Sequence, residues 1–227
     1  MAPDAPETVS VAPADVPSPW WYRWRFLTIG AVYFCGFFFG NLVTGILGLP
    51  VVPAVVQWGA ALGPNGTRIL YGVAFLFALV AWALRTWGGA YLRPDVVWNA
   101  DALGDRLLVD GPFSYVRNPL YLGNLFLALA AGLLAPPLGF AIVVIGNVFM
   151  ALALAGVESR LLRARYGAAY DAYAAAVPAL LPRATPAQVE GSVRGTPSLA
   201  LGLRSEIFSA LIALSLLVAW VHALVSP

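Results

Sequence analysis

Residues 119–157 read "PLYLGNLFLALAAGLLAPPLGFAIVVIGNVFMALALAGV" and contain no charged side chain. The tripeptide "APP" at 135–137 interrupts this run and is typical of a tight turn. On either side of it, Pro119–Ala135 and Pro137–Val157 are apolar over about the length that crosses the hydrocarbon core as a helix. The stretch therefore predicts an antiparallel hairpin of two membrane helices.

Apolar runs of similar length flank this hairpin. Of the 227 residues, 60% are hydrophobic and only 11% are charged, whereas a soluble domain carries about 25% charged residues. Further spans are predicted at Phe26–Leu49, Ile69–Trp87 and Ile207–Val225, with an aromatic belt at 20–24 before the first. Val51–Gly63 is too short to span and is expected to be re-entrant or interfacial. The predicted fold is all-α, a polytopic membrane helix bundle with about five transmembrane helices.

Four segments divide the chain. Residues 1–19 are acidic and rich in Pro and Ala, which predicts a disordered tail, whereas a secretory signal would begin with basic residues. Residues 20–102 hold the N-terminal membrane helices and 103–183 form a core around the hairpin. Residues 184–227 provide a cytoplasmic linker and the last transmembrane helix.

The arginines predict the orientation in the membrane. All 13 basic residues are arginine, and a cytoplasmic N-terminus would leave only Arg68 on the far side, in accord with the excess of positive charge on the cytoplasmic side of membrane proteins. We therefore expect a multi-pass integral membrane protein, of the bacterial inner membrane, with its N-terminus and active site cytoplasmic. The long cytoplasmic segments 88–118 and 158–206 flank the hairpin, so a cofactor pocket is expected at its cytoplasmic mouth.

Composition also argues against several classes of partner. A net charge of +2 does not favour nucleic acid. Cys35 is the only cysteine and His222 the only histidine, so the chain has neither an internal disulfide nor a Cys/His spacing that would hold a metal. Both residues are expected to pack within membrane helices.

Polar residues mark both cytoplasmic ends of the hairpin. Asn118-Pro119 is a helix start, with an N-cap followed by proline at the first helical position, and Arg117 beside it favours an anionic group. Arg117 could alternatively anchor the helix at lipid headgroups. Glu158 ends the other arm, where a carboxylate needs a partner or a polar cavity, and an exposed salt-bridged helix is one alternative. Together the two ends could hold a zwitterion such as S-adenosylmethionine.

The segment 103–183 resembles the isoprenylcysteine carboxyl methyltransferase family, which is related to the phospholipid methyltransferases. The resemblance is carried by "DGPFSYVRNPLYLGN" at 110–124 and, beyond the hairpin, by Glu158, Leu162, the Tyr166-Gly167 pair and the spaced tyrosines and Val-Pro that follow. It implies methyl transfer from S-adenosylmethionine to a lipophilic small-molecule or lipid acceptor that arrives from the bilayer, with membrane lipids as surroundings and without a metal.

The resemblance also implies particular site residues. Glu158 and Arg117 are the candidate catalytic residues, with Arg117 or the helix amides on the cofactor carboxylate and Glu158 near its ammonium or sulfonium. The candidate cofactor contacts are Arg106, Leu107, Leu108, Phe113, Asn118, Pro119, Leu120, Tyr121 and Glu158.

The sequence departs from the family pattern at three positions. Asn118 replaces a histidine, Val157 replaces the first glutamate of a pair, and Leu154 replaces an arginine on the acceptor side. The resemblance therefore does not extend to prenylcysteine as the acceptor. Two other classes remain open: an NADPH-dependent membrane reductase of the sterol or enone type, which carries a similar motif, and a non-catalytic membrane protein with a degenerate site.

Overall fold

The structure is a computed structural model that describes residues 18–92, 107–189 and 197–225, and in these ranges the regular structure is entirely helical. It confirms the predicted all-α membrane bundle. The predicted tail falls almost wholly outside these ranges. The helices are α1 (Trp20–Arg23), α2 (Arg25–Ile46), α3 (Ala54–Ala61), α4 (Gly66–Tyr91), α5 (Pro119–Gly132), α6 (Pro137–Tyr166), α7 (Ala168–Ala176), α8 (Leu199–Ser205) and α9 (Ile207–Val225), and a 3₁₀ helix covers Gly111–Ser114.

The predicted hairpin is present as α5 and α6, which pack against each other across a short turn. Each helix has proline as its first residue, where a missing N–H removes no helical hydrogen bond. Pro136 ends the turn in an extended conformation, and its carbonyl accepts the N–H of Phe140. The hairpin thus brings the start of α5 and the last turns of α6 to the same end of the bundle.

Four helices, α2, α4, α6 and α9, are long and apolar enough to cross a membrane. The third predicted span is shorter than expected, because α5 has 14 residues and reaches only about 21 Å of the roughly 30 Å hydrocarbon thickness. Helix α3 covers its far end: the N–H groups of Ala54 and Val55 donate to the carbonyls of Ala135 (2.7 Å) and Leu133 (2.9 Å). The short segment predicted not to span is therefore an eight-residue helix docked on the hairpin turn.

Helix α4 lies at the centre, in contact with α3, α5, α8 and α9, while α2 packs on α6. The contact between α2 and α6 is close because glycines face each other. A methyl group placed on Gly40 would lie 2.6 Å from the Cα of Gly139. The backbones of α2 and α6 can approach this closely only because both positions are glycine, which has no side chain.

The chain around the start of α5 is held by backbone pairing. Helix α6 continues beyond its predicted end at Val157 to Tyr166, and Gly167, at φ +51°, then reverses the chain into α7. After α7, the N–H groups of Arg183 and Ala187 donate to the carbonyls of Tyr115 (3.0 Å) and Ser114 (2.9 Å). The polar segments before α5 and after α6 are therefore packed together.

Candidate active site

Glu158 is the centre of a polar cluster at this end of the hairpin. The Tyr22 hydroxyl of α1 donates to Glu158 Oε1 at 3.0 Å, and the Tyr121 hydroxyl from the first turn of α5 donates to the same oxygen. The other oxygen, Oε2, receives no hydrogen bond from the part of the chain that the structure describes. The carboxylate is therefore held by one oxygen and can present the other to a ligand.

The surroundings of Glu158 are mostly apolar. The Tyr22 ring is 4% exposed and belongs to a buried cluster with Leu154, Val157 and Leu161, against which Tyr121 packs. Apolar packing beside the carboxylate lowers the local polarity and so strengthens electrostatic interactions there.

A positive charge lies beside this cluster. The Arg25 guanidinium is 5.0 Å from the ring centroids of both Tyr22 and Phe26, and the residue is only 7% exposed. The guanidinium therefore places a positive charge on the α2 side of the Tyr22 ring, whose hydroxyl contacts Glu158.

Arg117 occupies a neighbouring environment. Its Nη1 donates to the Tyr170 hydroxyl at 2.7 Å, and its backbone N–H donates to the Pro178 carbonyl at 2.9 Å. Its Nε is buried and has no hydrogen-bond partner among the residues the structure describes. Arg117 is thus fixed against α7, with one buried N–H available.

Asn118 begins α5 as predicted, but the prediction that its side chain caps the helix is wrong. The side chain makes no hydrogen bond to the first turn; its Nδ2 donates to the Ala179 carbonyl at 2.9 Å. The carboxamide is used to hold the segment after α7, and the residue is 8% exposed. The amides of the first turn of α5 are therefore left without a side-chain cap.

The remaining predicted residues have mainly packing roles in the structure. Phe113 is buried, and its carbonyl accepts the Tyr173 hydroxyl at 2.8 Å. Burial raises the pKa of the Tyr173 phenol, which keeps it protonated as a donor. Pro119 and Leu120 pack against α4 at Gly88.

The stretch before the 3₁₀ helix was also predicted to contact the cofactor. Leu107 packs against the buried cluster of Val109, Tyr170, Tyr173 and Val177, and Leu108 is partly buried. Arg106 lies outside the described residues. Tyr170 and Tyr173, which follow Gly167, are themselves buried in this cluster.

The structure brings some of the predicted residues together and separates others. Tyr121 and Glu158 are in direct contact. Arg117 and Asn118 instead bond to α7 and the segment after it, although they precede Tyr121 by only about one helical turn. The predicted site thus consists of two adjacent environments that α5 joins.

Sequence reasoning missed Tyr22, which contacts Glu158, and Arg25, which lies at the Tyr22 ring. Tyr22 was assigned to the aromatic belt and Arg25 served only to indicate orientation. Tyr22 lies 136 positions from Glu158, and no local spacing connects them.

A second buried polar cluster lies between α4, α5 and the start of α9. Arg85 of α4 makes two hydrogen bonds to Glu206, from Nε to Oε2 at 2.6 Å and from Nη2 to Oε1 at 3.0 Å. Its Nη1 also donates to Asn124 of α5, and the Ser209 hydroxyl donates to Glu206 Oε2 at 3.0 Å. This network joins α4 and α5 to the start of α9.

Within the described ranges, no group of three or more His, Cys, Asp or Glu residues could hold a metal ion.

A helix bundle with four potential spans and a carboxylate held at one end of a hairpin defines an integral membrane protein with a polar site. The family model for phospholipid methyltransferases matches residues 70–169, which include α4, α5 and α6. This part of the chain is therefore similar to the phospholipid methyltransferases, and the predicted resemblance to membrane methyltransferases is confirmed. No curated protein and no solved structure matches the chain.

Proposed function

We propose that the protein transfers a methyl group from S-adenosylmethionine to a lipophilic acceptor that enters from the membrane. The main support is the Glu158 carboxylate, which two phenols hold by one oxygen within the segment that matches the methyltransferase family. Arg117, about one turn before Tyr121, adds a buried N–H without a partner in the described chain.

The available groups fit the charges of S-adenosylmethionine. Its carboxylate can be bound by Arg117 Nε and by the first amides of α5, which lack a side-chain cap. Its ammonium or sulfonium can be bound by Oε2 of Glu158. The two adjacent environments therefore have opposite charge preferences, one for an anion and one for a cation, as a zwitterion requires.

When bound, S-adenosylmethionine supplies an electrophilic methyl group for in-line displacement. The residues of this chain contribute mainly alignment, which can lower a barrier by about 7–11 kcal/mol when the reacting atoms are held close together. The apolar cluster around Tyr22 packs beside the carboxylate and lowers the polarity of its surroundings. If the acceptor is a neutral amine or hydroxyl, Glu158 Oε2 is positioned to take its proton. The Asn118 carboxamide cannot, because it is not basic.

We also propose that the site faces the cytoplasm. This assignment is supported by the arginine distribution, which leaves Arg68 as the only basic residue on the far side. The acceptor would reach Glu158 from the bilayer, and the cofactor would enter from the aqueous side.

Calorimetry on the detergent-purified protein tests the cofactor assignment. We expect S-adenosylmethionine to bind, and Glu158→Gln to weaken binding at least tenfold because the amide lacks the negative charge. The matched control is Asp171→Asn, which removes a carboxylate that pairs with Arg163 on the surface. Binding of S-adenosylmethionine by Glu158→Gln as tight as by wild type would contradict the role of Glu158. Binding of NADPH instead would indicate a reductase, and binding of neither ligand would indicate a non-catalytic protein.

The class of acceptor requires a separate experiment. Lipid extracts from cells with and without the protein can be compared by mass spectrometry. We expect a lipid that gains the mass of one methylene group only when the wild-type protein is present. Formation of the same product by the Glu158→Gln variant at the wild-type rate would contradict the proposed site.

A further inference from the structure

Helices α1 and α2 lie outside the family match at 70–169, yet α1 contributes a side chain to the candidate site. We propose that Tyr22 is a positioning residue, whose phenol holds Glu158 Oε1 so that Oε2 faces the cationic part of bound S-adenosylmethionine. This inference rests on the proposed function.

The position of the Tyr22 ring is itself well defined. The residue is 4% exposed and packs with Leu154, Val157 and Leu161 of α6. The Arg25 guanidinium lies 5.0 Å from the centroid of the ring. With α6 on one side and a cation at the ring, few rotamers are available to the phenol, so its hydroxyl is a preorganised donor.

Two donors to one oxygen constrain the carboxylate more than one donor does. A glutamate side chain has several rotatable bonds. With a single hydrogen bond from Tyr121, the plane of the carboxylate group could still rotate. Tyr22 and Tyr121 come from different helices, α1 and α5, and meet at Oε1. Hydrogen bonds to an ionised acceptor are about twice as strong as neutral ones. The pair therefore orients Oε2 as well as neutralising part of the charge on Oε1.

The test compares Tyr22→Phe with Tyr33→Phe. Tyr22→Phe keeps the ring in its apolar cluster and removes only the hydroxyl. Tyr33 of α2 also has a buried hydroxyl, but this group has no hydrogen-bond partner in the described structure, so the same substitution there removes no contact to Glu158. For each protein, the Kd for S-adenosylmethionine is measured by calorimetry and the Tm without ligand by thermal unfolding in the same detergent.

We expect Tyr22→Phe to raise the Kd about tenfold, the size of effect that loss of one hydrogen bond to a charged group produces, with a Tm near that of wild type. Tyr33→Phe should leave the Kd unchanged. Tyr121→Phe, which removes the other donor to Oε1, should weaken binding by a similar factor. Turnover of Tyr22→Phe at saturating S-adenosylmethionine should fall less than its kcat/KM for this cofactor.

Each outcome decides the inference. A lowered Tm for Tyr22→Phe with an unchanged Kd would show a structural role only and overturn the proposal, while tight binding by wild type and weak binding by Glu158→Gln would leave the proposed function standing. An equal loss of affinity in Tyr33→Phe would also overturn it, because the effect would not be specific to the carboxylate. Absence of S-adenosylmethionine binding by the wild-type protein would overturn the proposed function and this inference with it.

Discussion

Arg85 and Glu206 are the clearest case of charge retained inside the bundle. Glu206 is 3% exposed and accepts hydrogen bonds from two nitrogens of Arg85 and from Ser209. Glu206 is buried and the Arg85 side chain is only 18% exposed, so each charge depends on the other. The pair as a whole contributes little net stability, whereas one member alone would be strongly unfavourable.

This dependence leads to a prediction about single and double substitutions. Glu206→Ala leaves the Arg85 guanidinium without its carboxylate and should lower the free energy of unfolding by about 3–5 kcal/mol. The double variant Arg85→Met/Glu206→Leu removes both charges and should recover most of that loss. Chemical unfolding in detergent micelles measures both values. A double variant no more stable than Glu206→Ala would show that the network stabilises the bundle beyond charge compensation.

At the scale of the helices, the contact between α2 and α6 depends on small residues on both sides. Methyl groups placed on Gly36 or Gly40 would lie within 3 Å of α6, and at Gly40 the obstacle is the backbone of Gly139. Backbone atoms cannot move aside as a flexible side chain can. Van der Waals packing at such close approach is a main source of helix association in lipid.

Gly40→Ala should therefore push the two helices apart and lower the free energy of unfolding by about 1–3 kcal/mol. Gly30→Ala is the matched control on the same helix, because nothing lies within 4 Å of its added methyl group. That change should be neutral or stabilising by up to about 1 kcal/mol, since alanine favours the helix. The two variants can be compared by thermal unfolding. Equal effects at positions 30 and 40 would contradict the close packing.

Helix α5 links the candidate site to the buried network of Arg85 and Glu206. It contributes Tyr121 to the contact with Glu158 and, three residues later, Asn124 to the contact with Arg85. A displacement of this short helix would disturb both clusters. Its length, too short for an unaided crossing, is compensated by the docking of α3 on the hairpin turn.

For the whole molecule, the proposed orientation predicts opposite accessibility of the two ends. The test uses a Cys35→Ala background, which removes the only native cysteine. Single cysteines are then placed at the exposed positions Asn65, before α4, and Ala184, after α7. An impermeant thiol reagent should label position 65 in right-side-out vesicles and position 184 in inverted ones. The reverse pattern would place the candidate site outside the cytoplasm.

Much of the architecture could be predicted from the sequence. The apolar runs around 26–49, 69–87 and 207–225 became helices within a few residues of their predicted ends, and the "APP" turn formed between α5 and α6. Transfer of an apolar segment into lipid depends on that segment alone, so its signal is local. The lengths of α5 and α6 were less predictable: α5 ends at Gly132, before the turn on which α3 docks, and α6 continues past Val157 to Tyr166, where Gly167 at φ +51° ends it.

The candidate site divides in the same way. Glu158 and Tyr121 could be identified from their positions near the two ends of the hairpin, but their direct contact is a finding of the structure. The Asn118 carboxamide instead bonds to Ala179, 61 positions away. Helix and cap propensities do not predict this hydrogen bond, because it depends on where the chain after α7 packs against the start of α5.

The sequence by itself determined that this chain is a membrane helix bundle and which arms of its hairpin carry polar groups. Only the tertiary structure decided that Tyr22 reaches Glu158 across 136 positions and that Arg85 pairs with Glu206 across 121. Hydrophobicity and helix-start signals act between near neighbours, whereas these partners are selected by the way the helices pack.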